Sequence, residues 1–126
     1  MNDLTGRSHT LSRYKGQWLV LHFWATWCPY CRGEIPELTQ LAQAGATGAN
    51  VLAVSVDQDV NRLQQFLKQH PLPYPVVSDP NASLANQYGV EGLPTTFIIG
   101  PDGQVREILP GAGNLTNAVA RARTTD

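Results

Sequence analysis

The chain has 126 residues, of which 42% are apolar and 15% charged, and its formal net charge is −1. That is the length of one domain able to bury a core without staples, and its charge is too balanced to present the basic face that nucleic acid or an acidic membrane selects. It contains only two cysteines, Cys28 and Cys31, which excludes a disulfide framework and leaves the pair itself to be explained.

Residues 3–17 are polar and turn-rich, with Leu4, Leu11 and Tyr14 spaced as in a short hairpin ahead of the core. Residues 18–24, Trp-Leu-Val-Leu-His-Phe-Trp, read as a central strand buried on both faces. The longest apolar run, Trp18 to Trp27, is interrupted by His22 and Thr26 and is far short of a membrane span. Met1 leads directly into polar Asn2, Asp3 and Thr5, unlike a signal peptide. The expectation is either a cytoplasmic protein or an export signal or anchor lying outside this chain. After Cys31, the residues Glu34, Ile35, Leu38, Leu41 and Ala42 recur at helical spacing, and Pro36 is expected to kink that helix rather than end it. The helix should stop between Gly45 and Gly48.

Residues 51–56 form a second buried strand, and residues 60–69 place Val60, Leu63, Phe66 and Leu67 on one helical face. Tyr74 to Ser78 reads as a short strand, and Ser83 to Tyr88 as a short helix closed by Gly89. Residues 95–99 and 105–109, joined by the turn Pro101-Asp102-Gly103, form an antiparallel pair, and residues 114–123 supply a last helix. Strands alternating with helices until a terminal hairpin and helix define one α/β domain with a mixed sheet.

Two cysteines at i and i+3, after a strand and at the start of a helix, lie close enough to form a disulfide. Unpaired N–H groups at a helix start stabilise a thiolate, and Pro29 suits a position whose N–H has no helical acceptor. Cys28 is then the attacking thiolate, and Cys31 resolves the mixed disulfide formed with a substrate. The competing explanations are half a metal site or two core cysteines. A zinc site needs four ligands, and the other candidates, His9, His22 and His70, are scattered over three segments. No metal and no cofactor is expected.

Residues 23–36, Phe-Trp-Ala-Thr-Trp-Cys-Pro-Tyr-Cys-Arg-Gly-Glu-Ile-Pro, resemble the active-site strand and helix of the thioredoxin superfamily. They are most similar to its bacterial extracytoplasmic branch of TlpA, ResA and CcmG type, which is related to AhpC/TSA proteins. Residues 88–99, Tyr-Gly-Val-Glu-Gly-Leu-Pro-Thr-Thr-Phe-Ile-Ile, resemble the strand of that family that carries a cis-proline opposite the cysteines. The resemblance implies a thioredoxin fold over 1–126, in which a central mixed sheet is flanked by helices. The active-site motif falls at 27–31, a helix-plus-strand insertion at about 58–79, and the cis-proline motif at 92–95, with an N-terminal hairpin before them.

By the same resemblance, Leu93-Pro94 is the cis bond and its backbone meets substrate, as do Trp27, Pro29 and Tyr30. Glu34 matches an acidic residue near the thiols that relays protons or raises their pKa; alternatively it is a solvated acid favoured in the first helical turn. His22 stands where thioredoxin itself has a buried acid. It is either a base or cation serving the cysteines, or a neutral core histidine bonded to a backbone carbonyl. The implied activity is thiol–disulfide exchange, most simply the reduction of protein disulfides in a periplasmic or extracytoplasmic compartment, as in cytochrome c maturation. A disulfide-forming or isomerising catalyst and a non-redox binding module are the alternatives. The implied partners are a disulfide-bearing or dithiol protein and a membrane or soluble thiol donor, with the chain acting as a monomer.

Overall fold

Six consecutive residues, Leu19–Trp24, form strand β1, and every one of them is buried. A strand with no exposed side chain must be covered on both faces, and β1 is also paired along both edges. It runs parallel to β2 (Asn50–Ser55) from Leu19↔Asn50 to Trp24↔Ser55, and antiparallel to β4 (Thr95–Ile99) from Leu19↔Ile99 to Phe23↔Thr95. Outside these, β3 (Val76–Ser78) adds in parallel to β2 and β5 (Val105–Pro110) antiparallel to β4. The order β3-β2-β1-β4-β5 is a mixed five-stranded sheet with the thioredoxin fold. The computed structural model describes residues 1–124, the Ala46 side chain excepted; the last two residues of the expected domain lie outside the described residues.

Period-two alternation divides the core into two layers. On one face Val20, Trp24, Val51, Ala53, Val76 and Ile98 pack with both cysteines. Covering them are Leu38 and Leu41 of α2 (Ile35–Gln43), Leu63 of α3 (Val60–Gln69), and Leu115, Ala118, Val119 and Ala122 of α5 (Leu115–Thr124). On the other face Leu19, Leu21, Phe23, Leu52, Val54, Phe97 and Ile99 meet Ala85 of α4 (Ser83–Gln87). Among the described residues no helix is long and apolar enough to cross a membrane.

Three expected elements take a different form. The N-terminal hairpin is reduced to a single bridge, Asn2↔Ser8, followed by a 3₁₀ turn at Leu11–Tyr14. The segment is tied to the edge of β3 by the bridge Asp3↔Val77, Leu4, Leu11 and Tyr14 pack on the core, and buried His9 bonds Asp3 Oδ2 through Nε2 at 2.6 Å and the Tyr14 hydroxyl through Nδ1 at 2.9 Å. The helix after Cys28 is broken rather than only kinked, into α1 (Pro29–Gly33) and α2, with Glu34 between them. Pro36 has no N–H to continue the ladder. Glu34 N–H instead closes a tight turn on the Cys31 carbonyl at 3.1 Å, and the ladder resumes with Leu38 N–H on the Glu34 carbonyl. Strand β3 begins at Val76 rather than Tyr74, with Pro75 directly before it.

Side-chain carboxylates close the starts of α3, α4 and α5. Asp59 accepts from the N–H groups of Asn61 and Arg62, and Asp79 from those of Leu84 and Ala85. The start of α5 is closed from a distance. Glu37 on α2 accepts from Leu115 N–H at 2.9 Å, Thr116 N–H at 3.1 Å and the Thr116 hydroxyl at 2.8 Å. Removing a cap of this kind costs about 1–2 kcal/mol, so Glu37→Ala should lower the urea-unfolding free energy by about that amount, with the loss concentrated in α5 protection measured by hydrogen exchange.

Candidate active site

Strand β1 ends at Trp24, and the chain turns over residues 25–28, closed by Cys28 N–H on the Ala25 carbonyl at 3.2 Å. Cys28 is the N-cap of α1, and its Sγ accepts the Cys31 N–H at 3.2 Å. Sulfur thus occupies the place a serine or aspartate oxygen fills in an ordinary cap, the place where negative charge is best stabilised. The two cysteines are joined as a disulfide with Cα atoms 5.2 Å apart. Cys31 is fully enclosed and Cys28 retains 5% exposure, so an incoming group meets Cys28 first.

Trp27 and Tyr30 stand outward beside the pair, 65% and 73% exposed. A cleft of about 940 Å³ opens next to Trp27, walled by Asp57, Asp59, Arg62 and Ala82. The Leu93-Pro94 bond is cis. Because Phe23 pairs with Thr95, Pro94 lies level with the end of β1 from which Cys28 departs. Leu93 packs against the layer holding both cysteines. The Pro94 carbonyl accepts Gly111 N–H at 2.7 Å, whereas Leu93 N–H and carbonyl take no hydrogen bond among the described residues.

Beneath α1 the structure joins two residues that the sequence presents separately. His22, 1% exposed on β1, bonds the Thr96 hydroxyl through Nδ1 at 2.9 Å, not a backbone carbonyl. Its Nε2 lies 3.9 Å from Glu34 Oε1, beyond hydrogen-bond reach, and neither atom has a hydrogen-bond partner among the described residues. Glu34 is buried rather than solvated, and its Oε2 accepts Gly113 N–H at 3.2 Å. Burial drives both groups toward their uncharged forms: the His22 pKa falls to about 4, and that of Glu34 rises above its ordinary value.

Asp57 belongs to no motif, and Thr26 lies in the active-site segment 23–36 with no role assigned to it, yet the Asp57 carboxylate holds the Thr26 backbone and hydroxyl. The only trace in sequence is the Ser55-Val56-Asp57 ending of a buried strand.

The sheet order, the cysteine pair at a strand-to-helix junction and the cis-proline opposite it define a thioredoxin-fold protein with a dithiol–disulfide centre. The chain belongs to the AhpC/TSA family, whose sequence pattern it matches over residues 1–108. It is similar to the thiol-disulfide oxidoreductase ResA of Geobacillus thermodenitrificans, 38% identical over 112 residues, covering 88% of this chain and 64% of that one. ResA of Bacillus subtilis is 34% identical over 112 residues, covering 88% and 63%. The chain therefore spans just under two thirds of the length of these curated relatives. Among solved structures it is similar to a Chlorobium tepidum protein assigned as thiol:disulfide interchange protein DsbE, with TM-score 0.87 and 31% identity over 99% of this chain and 89% of that one. It is also similar to the exposed lipoprotein thioredoxin Etrx1 of Streptococcus pneumoniae, with TM-score 0.86 and 26% identity over 100% and 97%.

The buried imidazole has a measurable consequence. Its folded pKa of about 4 lies below the ordinary 6.5, so between these values the unfolded chain takes up a proton that the native chain refuses. Stability from His22 is complete above pH 6.5 and is lost as pH falls through 4, by about 3 kcal/mol in all. Urea unfolding across that window should show this slope in the parent protein and a shallower one in His22→Asn.

Proposed function

We propose that this chain is the catalytic domain of a thiol–disulfide oxidoreductase that reduces protein disulfides in an extracytoplasmic compartment, in the manner of cytochrome c maturation. The observation that carries this is the Cys28–Cys31 pair at the head of α1, with Cys28 Sγ on the Cys31 N–H. The names of its ResA and DsbE relatives support thiol–disulfide exchange, and the lipoprotein nature of Etrx1 supports a place outside the cytoplasm.

In the forward direction the Cys28 thiolate attacks a substrate disulfide, one substrate sulfur leaves as thiolate, and a Cys28–substrate disulfide forms. Cys31 then loses its thiol proton and bonds Cys28, and the second substrate sulfur is released. The dithiol is oxidised by two electrons and the substrate reduced by two. Glu34 is the group assigned to receive the Cys31 proton: it follows Cys31 by one turn and its burial raises its affinity for a proton. His22 backs it as a neutral imidazole. Trp27, Pro29 and Tyr30 form one bank of the substrate site and Leu93-Pro94 the other, where the unpaired backbone of Leu93 can accept an extended substrate strand. A dithiol protein or thiol donor, membrane-bound or soluble, returns the pair to its reduced state, and the chain acts as a monomer.

Equilibration in glutathione buffers at pH 7, followed by Trp27 fluorescence, should give a two-electron potential of about −270 mV or lower, the range of a reductant. A value near −120 mV would assign disulfide formation instead, and no reversible transition would overturn the proposal. Cys31→Ser should accumulate a Cys28 mixed disulfide with an oxidised protein substrate, visible by non-reducing electrophoresis, and Cys28→Ser should not.

A further inference from the structure

Building on the role of Cys28 as the attacking group, we propose that Asp57 is a positioning residue, whose carboxylate fixes the loop that presents the nucleophile. Asp57 follows β2 by two residues and is 3% exposed. Its Oδ1 accepts the Thr26 hydroxyl at 2.7 Å and shares the Thr26 N–H at 3.2 Å; its Oδ2 takes that N–H at 3.0 Å and the Ser55 hydroxyl at 2.5 Å. Its own N–H donates to Ser55 Oγ at 3.0 Å, which locks the carboxylate in place from the β2 side.

The target of these bonds gives them their meaning. The β1–β2 connection already runs out to Val56 N–H on the Trp24 carbonyl at 2.9 Å. Beyond that point the chain over residues 25–28 leaves the sheet, and backbone pairing no longer restrains it against β2. Thr26 is the second residue of that turn, and Asp57 takes hold of it at two donors across 31 residues of sequence. Hydrogen bonds to a carboxylate are roughly twice as strong as neutral ones, and two from one residue fix orientation as well as distance. The next two residues are Trp27, directed outward over the cleft, and Cys28, whose Sγ reaches the Cys31 N–H only while the turn is held. Asp57 also lines that cleft, but its oxygens are occupied by these donors, so it acts through Thr26 and not on substrate.

The decisive variants leave charge unchanged. Thr26→Val removes the hydroxyl donor and Thr26→Ser keeps it. With both proteins fully reduced, the rate of attack on a small aromatic disulfide and the pH dependence of Cys28 alkylation by iodoacetamide are measured beside the parent. Thr26→Val should react about tenfold more slowly and show a Cys28 pKa higher than the parent by about one unit, while Thr26→Ser returns both to the parental values. Asp57→Asn should be slowed to a similar degree, and the double variant with Thr26→Val should be no slower than the slower single, because both break one clamp. An unchanged rate and pKa in folded Thr26→Val, equal damage from Thr26→Ser, or additive effects in the double variant would overturn the inference. If Asp57→Asn does not fold, the comparison of Val with Ser at position 26 decides alone. Absence of a reversible thiol–disulfide equilibrium in the parent would instead overturn the function on which the inference rests, and the glutathione titration reads that separately.

Discussion

The complete enclosure of β1 is the constraint from which the active site follows. Its six side chains divide between two apolar layers, and both edges are consumed by β2 and β4. A strand in that position cannot slip by one residue, because slippage would carry Leu19, Leu21 and Phe23 into the layer built for Val20 and Trp24. The register therefore fixes three things at once. It sets where the chain exits toward Cys28, where Pro94 lies at the neighbouring strand start, and on which face His22 enters the core.

Polar groups buried around this frame tie the active-site helix to the rest of the fold. The break at Glu34 lets α2 follow Pro36, while Glu34 itself shares the inward face of Cys31, Leu38 and Leu41, so its carboxyl is buried with them. Glu34 and Glu37, one turn apart, both reach the segment between β5 and α5, through Gly113 N–H and the first turn of α5. Burying such groups is costly unless they are paired, and Glu37 is fully engaged. Glu34 and His22 are each half satisfied, with two orphaned atoms facing one another. Trp24 Nε1 and Ser78 Oγ are also without a partner among the described residues, but Glu34 is the carboxyl whose free oxygen leaves it room to accept a proton in the proposed mechanism, since a saturated carboxylate has no reason to take one.

What the sequence discloses is local. The continuous apolar run of β1, the helical spacing of Leu63, Phe66 and Leu67, the Gly89 helix stop and the two motifs around Cys28 and Pro94 are each contained in a single short stretch of chain, and each appears where expected. The contacts it conceals join residues far apart in the chain or of unremarkable type. Thr26 meets Asp57 across 31 residues and Glu34 meets Gly113 across 79, with no periodicity to announce either. The N-terminal segment shows the same limit at short range. Leu4, Leu11 and Tyr14 suggest a hairpin, but the organising residue is His9, whose two ring nitrogens hold Asp3 and Tyr14. His22 and Glu34 are both legible as candidates from the family pattern, yet their proximity joins β1 to the active-site helix, which no local pattern announces.

The arrangement separates the parts that must be exact from those that must adapt. Cys28 is held by the Ala25 turn and by the Cys31 N–H, and Thr26 before it is clamped from β2. These restraints are anchored directly at the ends of β1 and β2 and in the first turn of α1, next to the elements least free to move. Trp27 and Tyr30 bear none of these restraints and face solvent, and the backbone of Leu93 takes no hydrogen bond among the described residues. The thiol–disulfide exchange proposed for this site needs this division. In-line approach of three sulfurs tolerates little error, whereas partner surfaces differ and reward side chains that present area without a fixed contact. Specificity on such a scaffold would then change through the rim, at Trp27, Tyr30 and the cleft wall, while the chemistry stays fixed by residues that no substrate touches.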